Sequence, residues 1–512
     1  MANDLQGKKI LIFQQRRWAL RIGHFLAKKL SAEGARLAAI VMKKSIHDFV
    51  VKQQDVKYEL IINQDEAMEN PKKFLEGDDF SLAEICRDLG IDSIWPLIAT
   101  ERTHVKSYRD KAFYGFRKNV SDEEMADYAK AVYKYIKLIF ENFQPDLIIV
   151  SGFVALPHIM LNLYAARRGV RVITVTDCKI KGLNIFTHDY NESTGPFYER
   201  VDELNNHGNN SANRDKAKAY IEEFRRNYRT ADQVFVPGEK LSPWKRVRRE
   251  LSPLRKIWQW YATPQVNHFK NLGIQADWSP PRIILRDHFA GKRYRKFMEE
   301  FNYYPLEKLG KFVYFPLQMQ PEATIEVMAP YFSNQIETAR LVAQSLPDDH
   351  TLAVKEHPAM VGRRSSSYIE KIARTPNVKL IDYRVSPHLI LQKASLVVSP
   401  SSTTIVEAAF YRVPAIQLGN LGTTLKLPNA FKHTDLTTLS RKIKELLETK
   451  FDGAAYEEKL LNFVTAAFDT GFEFNYWGVW ERAETDEMTK LWQAWKKEIE
   501  SCLALNKSYV TV

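Results

Sequence analysis

Four runs between Lys311 and Asn420 decide the fold: KFVYFPLQMQPEAT (311–324), TLAVKEHPAMVG (351–362), NVKLIDY (377–383) and SLVVSPSSTTIVEAAFYRVPAIQLGN (395–420). Each is a short apolar or β-branched stretch closed by a turn and followed by helical periodicity, the pattern of a parallel sheet with crossover helices. Ligands of such sheets sit beyond the carboxyl ends of the strands. Those ends carry Gln318, Gln320 and Glu322, then Lys355 and His357, then Ser399, Ser401, Ser402 and Thr403. These groups suit an anionic, phosphate-bearing substrate.

Lys355 and His357 alternate, so a strand running through both puts their side chains on one face. The SPSSTT run precedes IVEAAFYRV, which places its hydroxyls and amides at a helix amino terminus, where a phosphate finds unpaired N–H groups. Thr404 and Glu407 have capping-box spacing, leaving Ser401, Ser402 and Thr403 for donor contact, with Glu407 as a further candidate for ribose hydroxyls. Gln318, Gln320 and Glu322 follow period 2 into Pro321 and are expected to face a cleft or solvent, because burial of polar groups is costly.

The amino-terminal half repeats the pattern. KKILIFQ reads as a strand, QRRWALRIG as a cationic loop, HFLAKKLSAEG as a helix ended by Gly34, and LAAIVMK as a second strand. Residues 44–135 are charged and mostly helical in character. Then PDLIIVSGF, a helix through Ala166 and the strand VRVITVT follow, the last running into Thr176, Asp177 and Cys178. Leu147–Ala166 is the most apolar stretch, but Ser151, Gly152, Pro157, His158 and Asn162 interrupt it, so a buried strand, turn and helix are expected rather than a membrane span.

At 512 residues two domains are expected. The boundaries read as 1–240, a basic connector at 241–305, a second α/β domain at 306–475, and helices crossing back at 476–512. Cys86, Cys178 and Cys502 are scattered, which argues against a disulfide framework and fits a reducing compartment. With no cysteine/histidine cluster or Asp-x-Asp run at ligand spacing, no metal requirement is expected. No secretory signal is evident, and a cytoplasmic protein, soluble or peripheral, is expected. From Leu241 to Glu300, 13 Lys or Arg face 5 Asp or Glu, a balance of +8 within the chain's +12, and Trp244, Trp258, Trp260 and Trp278 are interleaved. That composition suits an anionic bilayer surface; nucleic acid is disfavoured because no nucleic-acid module accompanies it.

The runs PLQMQPEAT, KEHP and SPSSTTIVEA…VPAIQLG resemble the capsule polysaccharide biosynthesis family, the β-Kdo glycosyltransferases that use CMP-Kdo. The His-Pro and Ser-Ser elements are shared with bacterial sialyltransferases. The resemblance implies a GT-B fold, two Rossmann-like domains facing across a cleft. It also implies a retaining transfer of a ulosonic acid from a CMP-sugar to a saccharide or lipid-linked acceptor. In that reading Lys355 and His357 stabilise the departing phosphate, and Gln320 and Glu322 match the family's QPE element. Asp177 is the candidate central carboxylate, base or nucleophile. Where the family carries Glu-Asp-Gly, this chain has Thr176-Asp177-Cys178, so Asp189 and Glu192 remain competitors, as does a purely turn-capping Asp177. Alternative functions are a CDP-glycerol-type transferase, a nucleotide-sugar epimerase, and a non-catalytic assembly protein.

Overall fold

A computed structural model describes residues 5–101, 121–227, 243–262, 281–475, 479 and 485–509. The first sheet contains β1 (Lys9–Gln15), β2 (Arg36–Met42), β3 (Tyr58–Asn63), β4 (Leu147–Ile149), β5 (Arg171–Asp177) and β6 (Leu183–Thr187). The second contains β7 (Phe312–Pro316), β8 (Thr351–Lys355), β9 (Val378–Ile381), β10 (Leu396–Ser399), β11 (Ala415–Gln417) and β12 (Ala430–Lys432). A late strand, β13 (Phe472–Glu473), returns to the first sheet.

Strand order in the second sheet is β9-β8-β7-β10-β11-β12, all parallel. Counted from β7 this is 3-2-1-4-5-6, the doubly wound Rossmann order, in which the chain reverses direction across the sheet between the first and fourth strands. The first sheet runs β13-β6-β5-β4-β1-β2-β3; β3 through β5 repeat 3-2-1-4-5, and β6 and β13 pair antiparallel at the edge. Two Rossmann-like α/β domains, with the carboxyl ends of their strands turned toward each other, make this a GT-B fold.

The terminal helix Thr485–Tyr509 packs on the first domain, as the GT-B reading expects. Its Leu491, Trp495, Ile499 and Cys502 are buried with Ile10, Ile12, Leu26 and Leu147, each large apolar side chain contributing about 1.5–3 kcal/mol. Lys496 adds an ion pair to Glu33 at 2.9 Å. In the other direction, helices Pro196–His207 and Arg214–Arg226 pack with Ala454–Thr470 into the core that also covers β7 and β10.

Several sequence expectations change, three of them in the course of the chain. Gln15–Gly23 is not a loop: helix begins at Arg16 and continues through a π-turn at Ala19–Gly23 into His24–Ala32. Trp18, Ala19, Ile22, Leu26 and Leu30 form its buried stripe, and Gly23 allows the close seat, since a Cβ there would strike Gln14 and the Trp18 ring. Within the charged region 44–135, Tyr58–Asn63 is a strand extending the sheet beyond β2; residues 102–120 of that region lie outside the described residues. Leu147–Ala166 does form a buried strand and a helix, Leu156–Ala166, and no described helix is long and apolar enough to cross a membrane. The third change concerns Gln318 and Gln320, which lie inside the second domain.

Candidate functional site

β5 outruns β4, so its last residues stand free of the sheet's centre and deliver Thr176 and Asp177 to the junction between the domains. Asp177 Oδ1 accepts the Lys179 amide at 2.7 Å, and Oδ2 lies 3.6 Å from Lys179 Nζ. The turn-capping role is therefore real and both carboxylate oxygens meet Lys179, while the Asp177 side chain stays 37% exposed. Burial works to lower Lys179, but Asp177, Glu192 and Glu322 around it raise it overall, so Lys179 is a firmly held cation.

Glu192 arrives from the loop after β6. Its carboxylate accepts from Thr176 Oγ1 at 3.0 Å and from Thr423 Oγ1, across the domain junction, at 3.3 Å; Tyr198 Oη and Thr423 Oγ1 are 3.0 Å apart. Burial, with the Asp177 charge beside it, pushes the Glu192 carboxyl up. The chain thus places an acid against Thr176. Lys179 and Glu192 both hold left-handed backbone, at φ 67° and 52°, a strain of about 1–3 kcal/mol each that clusters at functional sites. Asp189, by contrast, is consumed by its own turn, accepting from the amides of Asn191, Ser193 and Thr194 at 2.7–3.0 Å and from both hydroxyls. Gly422 is required opposite this loop: its amide donates to Asn191 O at 2.7 Å, and any Cβ would collide with the Glu192 carbonyl.

From the second sheet, Lys355 ends β8 and His357 lies beyond it as the cap of a short 3-10 turn, so strand alternation does not relate them. They are nonetheless neighbours. Burial, then the Arg364, Lys355 and Arg363 charges, pulls His357 down to about 4. Its Nδ1 accepts the Ala359 amide at 3.2 Å, which leaves Nε2 carrying the proton of the neutral ring. His357 is accordingly a neutral donor rather than a second cation. Burial pulls Lys355 down to about 8, opposed by Glu407, Asp382 and Glu356, and its Nζ donates to Val385 O at 3.1 Å.

Between them, Glu356 faces inward, fully buried, bonded to Arg364 Nη1 at 2.7 Å and to Tyr294 Oη at 2.8 Å. Breaking such a buried pair from one side costs about 3–5 kcal/mol, so this ion pair fixes the turn that presents His357. Tyr294 belongs to helix Pro281–Glu300, which is thereby anchored to the second domain.

The switch point of the second sheet lies between β7 and β10. Here Gln318 Nε2 donates to Ser399 Oγ at 3.2 Å, and Gln335 clamps the Gln318 amide at 2.6 Å and Gln320 Oε1 at 3.1 Å. Gln320 Nε2 is spent on Glu326 and Ser333. Both glutamines are buried with their side-chain N–H groups paired, which reverses the expectation that they face cleft or solvent. Only Glu322 of that trio reaches the junction, where its charge acts on Lys179.

After β10, the Thr404–Glu407 capping box is not formed; the helix Thr404–Phe410 is capped instead by Ser402 Oγ, which accepts the Thr404 amide at 3.1 Å. Thr403 is exposed, Glu407 half-buried with its charge acting on Lys355, and Ser401 Oγ is fully buried without a hydrogen-bond partner. A cavity of about 490 Å³ opens beyond β11, lined by Met328, Tyr331, Phe332, Gly419 and Asn420 among others.

Sequence reasoning missed Lys179, Thr423, Tyr198 and the Glu356–Arg364 pair. KEHP contains Glu356, but nothing local announces an arginine partner eight residues on; Lys179 was visible only as the first residue of KIKGLN.

No protein-family model matches the chain, and no curated protein matches it. Among solved structures, the KpsC β-Kdo 2,7-transferase of Thermosulfurimonas dismutans aligns at 13% identity over 73% of this chain and 89% of that one, with a TM-score of 0.34. A putative UDP-N-acetylglucosamine 2-epimerase from Listeria monocytogenes aligns at 11% identity over 89% and 90%, TM-score 0.24. The Methanocaldococcus jannaschii UDP-GlcNAc 2-epimerase in complex with UDP-GlcNAc and UDP aligns at 12% over 88% and 97%, TM-score 0.25. The fold assignment rests on the strand orders above.

Proposed function

We propose that this chain is a glycosyltransferase that moves a ulosonic acid, Kdo or a close analogue, from a CMP-sugar to a saccharide or lipid-linked acceptor in bacterial surface polysaccharide assembly. One observation supports the reading: a partly exposed carboxylate, Asp177, stands with a raised carboxyl, Glu192, and a fixed cation, Lys179, on the first sheet's side, while the strand ends of the second sheet carry Lys355 and His357. Transfer with retention needs a nucleophile on one side of the anomeric carbon and anion stabilisation on the leaving-group side. Asp177 forms the bond to the anomeric carbon while the bond to the CMP phosphate oxygen breaks, and CMP departs with the electron pair toward Lys355 and the His357 Nε2–H. The acceptor hydroxyl then displaces Asp177, its proton passing to a carboxylate of the cluster. The family resemblance in KEHP and SPSSTTIVEA supports the choice of CMP over other nucleotides. No step is assigned to a metal.

A thermal-shift panel of CMP, CDP, UDP and GDP tests the donor class, because a ligand that binds only the folded chain raises its stability. Selective stabilisation by CMP is expected. Selective response to UDP would replace this reading with an epimerase-type one, response to CDP with a CDP-glycerol-type one, and no response with a binding protein.

The acceptor reading includes a membrane surface. On helix Pro243–Ala262, Trp244, Val247, Leu251, Leu254, Trp258 and Tyr261 fall at alternating spacings of three and four, one continuous stripe. All six face solvent, from 49% exposed at Val247 to 76% at Trp244. Arg248, Arg255 and Lys256 are exposed on the same helix, and Leu285 and Phe289 of the anchored helix Pro281–Glu300 are exposed as well. Apolar residues with flanking cations match the headgroup region of an anionic bilayer; Trp278 and residues 263–280 lie outside the described residues. Co-sedimentation with phosphatidylglycerol vesicles is expected to exceed that with neutral vesicles and to weaken with salt. Leu254→Glu with Trp258→Ser should lower partitioning at least roughly 10-fold. Equal binding to both vesicle types would remove the membrane from this account.

A further inference from the structure

A second cluster lies away from the strand-end groups. His188 follows β6, and Glu498 and Cys502 stand one turn apart on the terminal helix, so their side chains share a face. His188 Nε2 is 2.6 Å from Glu498 Oε1 and 3.6 Å from Cys502 Sγ, and that sulfur is 3.5 Å from Glu498 Oε1. Glu498 and Cys502 are buried and His188 is nearly so. Tetrahedral zinc, with bonds of about 2.0–2.1 Å to imidazole, about 2.3 Å to thiolate and about 2.0 Å to carboxylate, separates its ligands by roughly 3.5 Å for N to S and S to O and roughly 3.3 Å for N to O. Two of the three separations already have these values. The third is closed by the His188–Glu498 hydrogen bond and has to open by roughly 0.7 Å to admit the ion.

We propose that His188, Glu498 and Cys502 hold one zinc ion, which joins the terminal helix to the loop that carries Glu192. The charges suit it: a thiolate and a carboxylate neutralise Zn²⁺ in a buried setting. Arg171 Nη1, 3.9 Å from Cys502 Sγ, is placed to donate to the thiolate, as outer groups around metal ligands do. Zinc entry expels the Cys502 thiol proton to solvent and moves the remaining imidazole proton to Nδ1; solvent completes the four-coordinate shell. The sequence gives half of this pattern, Glu498-x-x-x-Cys502, but the third ligand is 310 residues away, which is why no ligand spacing was legible.

The test reads metal and stability, not transfer. Full-length protein, stripped with chelator and titrated with zinc against a chromophoric competitor, is expected to bind one equivalent and to gain several degrees in Tm. Cys502→Ser and His188→Gln should each lose that equivalent. Cobalt(II) substituted into the wild type should show a thiolate-to-cobalt charge-transfer band, a measurement that needs no variant to fold. No stoichiometric zinc in the wild type, cobalt bound without the thiolate band, or an undiminished equivalent in a folded Cys502→Ser chain would each overturn the site and leave the three residues as a hydrogen-bonded pin.

Discussion

Asp177→Asn is expected to lower transfer by roughly 10³-fold or more while CMP affinity stays at the wild-type value. The amide keeps the acceptor oxygen that receives the Lys179 amide at 2.7 Å, so the turn survives, but it cannot attack an anomeric carbon. Glu192→Gln separates the two carboxyl groups. Glu192 is raised by burial and by the Asp177 charge, so it titrates above an ordinary glutamate, and removing it should flatten the acid limb of the kcat/KM profile with a loss of roughly 10²-fold. Intact-mass analysis with donor alone locates the nucleophile by the peptide that carries the sugar. Full activity in Asp177→Asn, or an adduct on the peptide containing Glu192, would transfer the nucleophilic role to Glu192 and leave Asp177 as the cap of its turn.

The strands were legible because their apolar runs are short, β-branched and closed by turns, and β5, β7, β8 and β10 end where those runs end. Lys355 and His357 were found together for a reason that does not hold: β8 stops at Lys355, and a 3-10 turn, held by the buried Glu356–Arg364 pair, brings His357 back beside it. The glutamines were misplaced by a rule about cost. Polar side chains are expensive in a core only when unpartnered, and Gln318, Gln320 and Gln335 partner one another.

What periodicity could not supply is anything assembled across the junction. Glu192 bonds Thr176 and Thr423, the second of them 231 residues distant, and the contact exists only because Gly422 lets two backbones approach. Glu192 was weighed in the sequence as an acid without a location; the fold gives it one beside Thr176. The helix Arg16–Trp18 was hidden for a local reason, since its consecutive arginines read as loop while the apolar stripe that defines it begins only at Trp18.

Lys355→Ala and His357→Ala should each reduce transfer by roughly 10²-fold, the loss expected when a donor is withdrawn from a developing phosphate charge. Their pH behaviour distinguishes them. Burial holds Lys355 at about 8, below its ordinary 10.5. Above pH 8 the unfolded chain therefore binds more protons at this position than the folded one, and this group's contribution to stability rises from pH 8 to 10.5. A bound phosphate adds negative charge beside Lys355 and returns the proton, so CMP binding at pH 8.5 should be accompanied by net proton uptake. Calorimetry in buffers of different ionisation enthalpy measures that uptake, which Lys355→Met should abolish and His357→Ala should retain. His357, held down to about 4 by burial, stays neutral throughout this range and gives only its Nε2–H. Its own contribution to stability is complete above its ordinary 6.5 and is lost as pH falls toward 4, because the unfolded ring takes a proton that the folded one refuses. If CMP bound at pH 8.5 with no proton uptake in the wild type, Lys355 would not meet the phosphate, and its place at the end of β8 would be that of a buried lysine held by Val385 and the carboxylates around it.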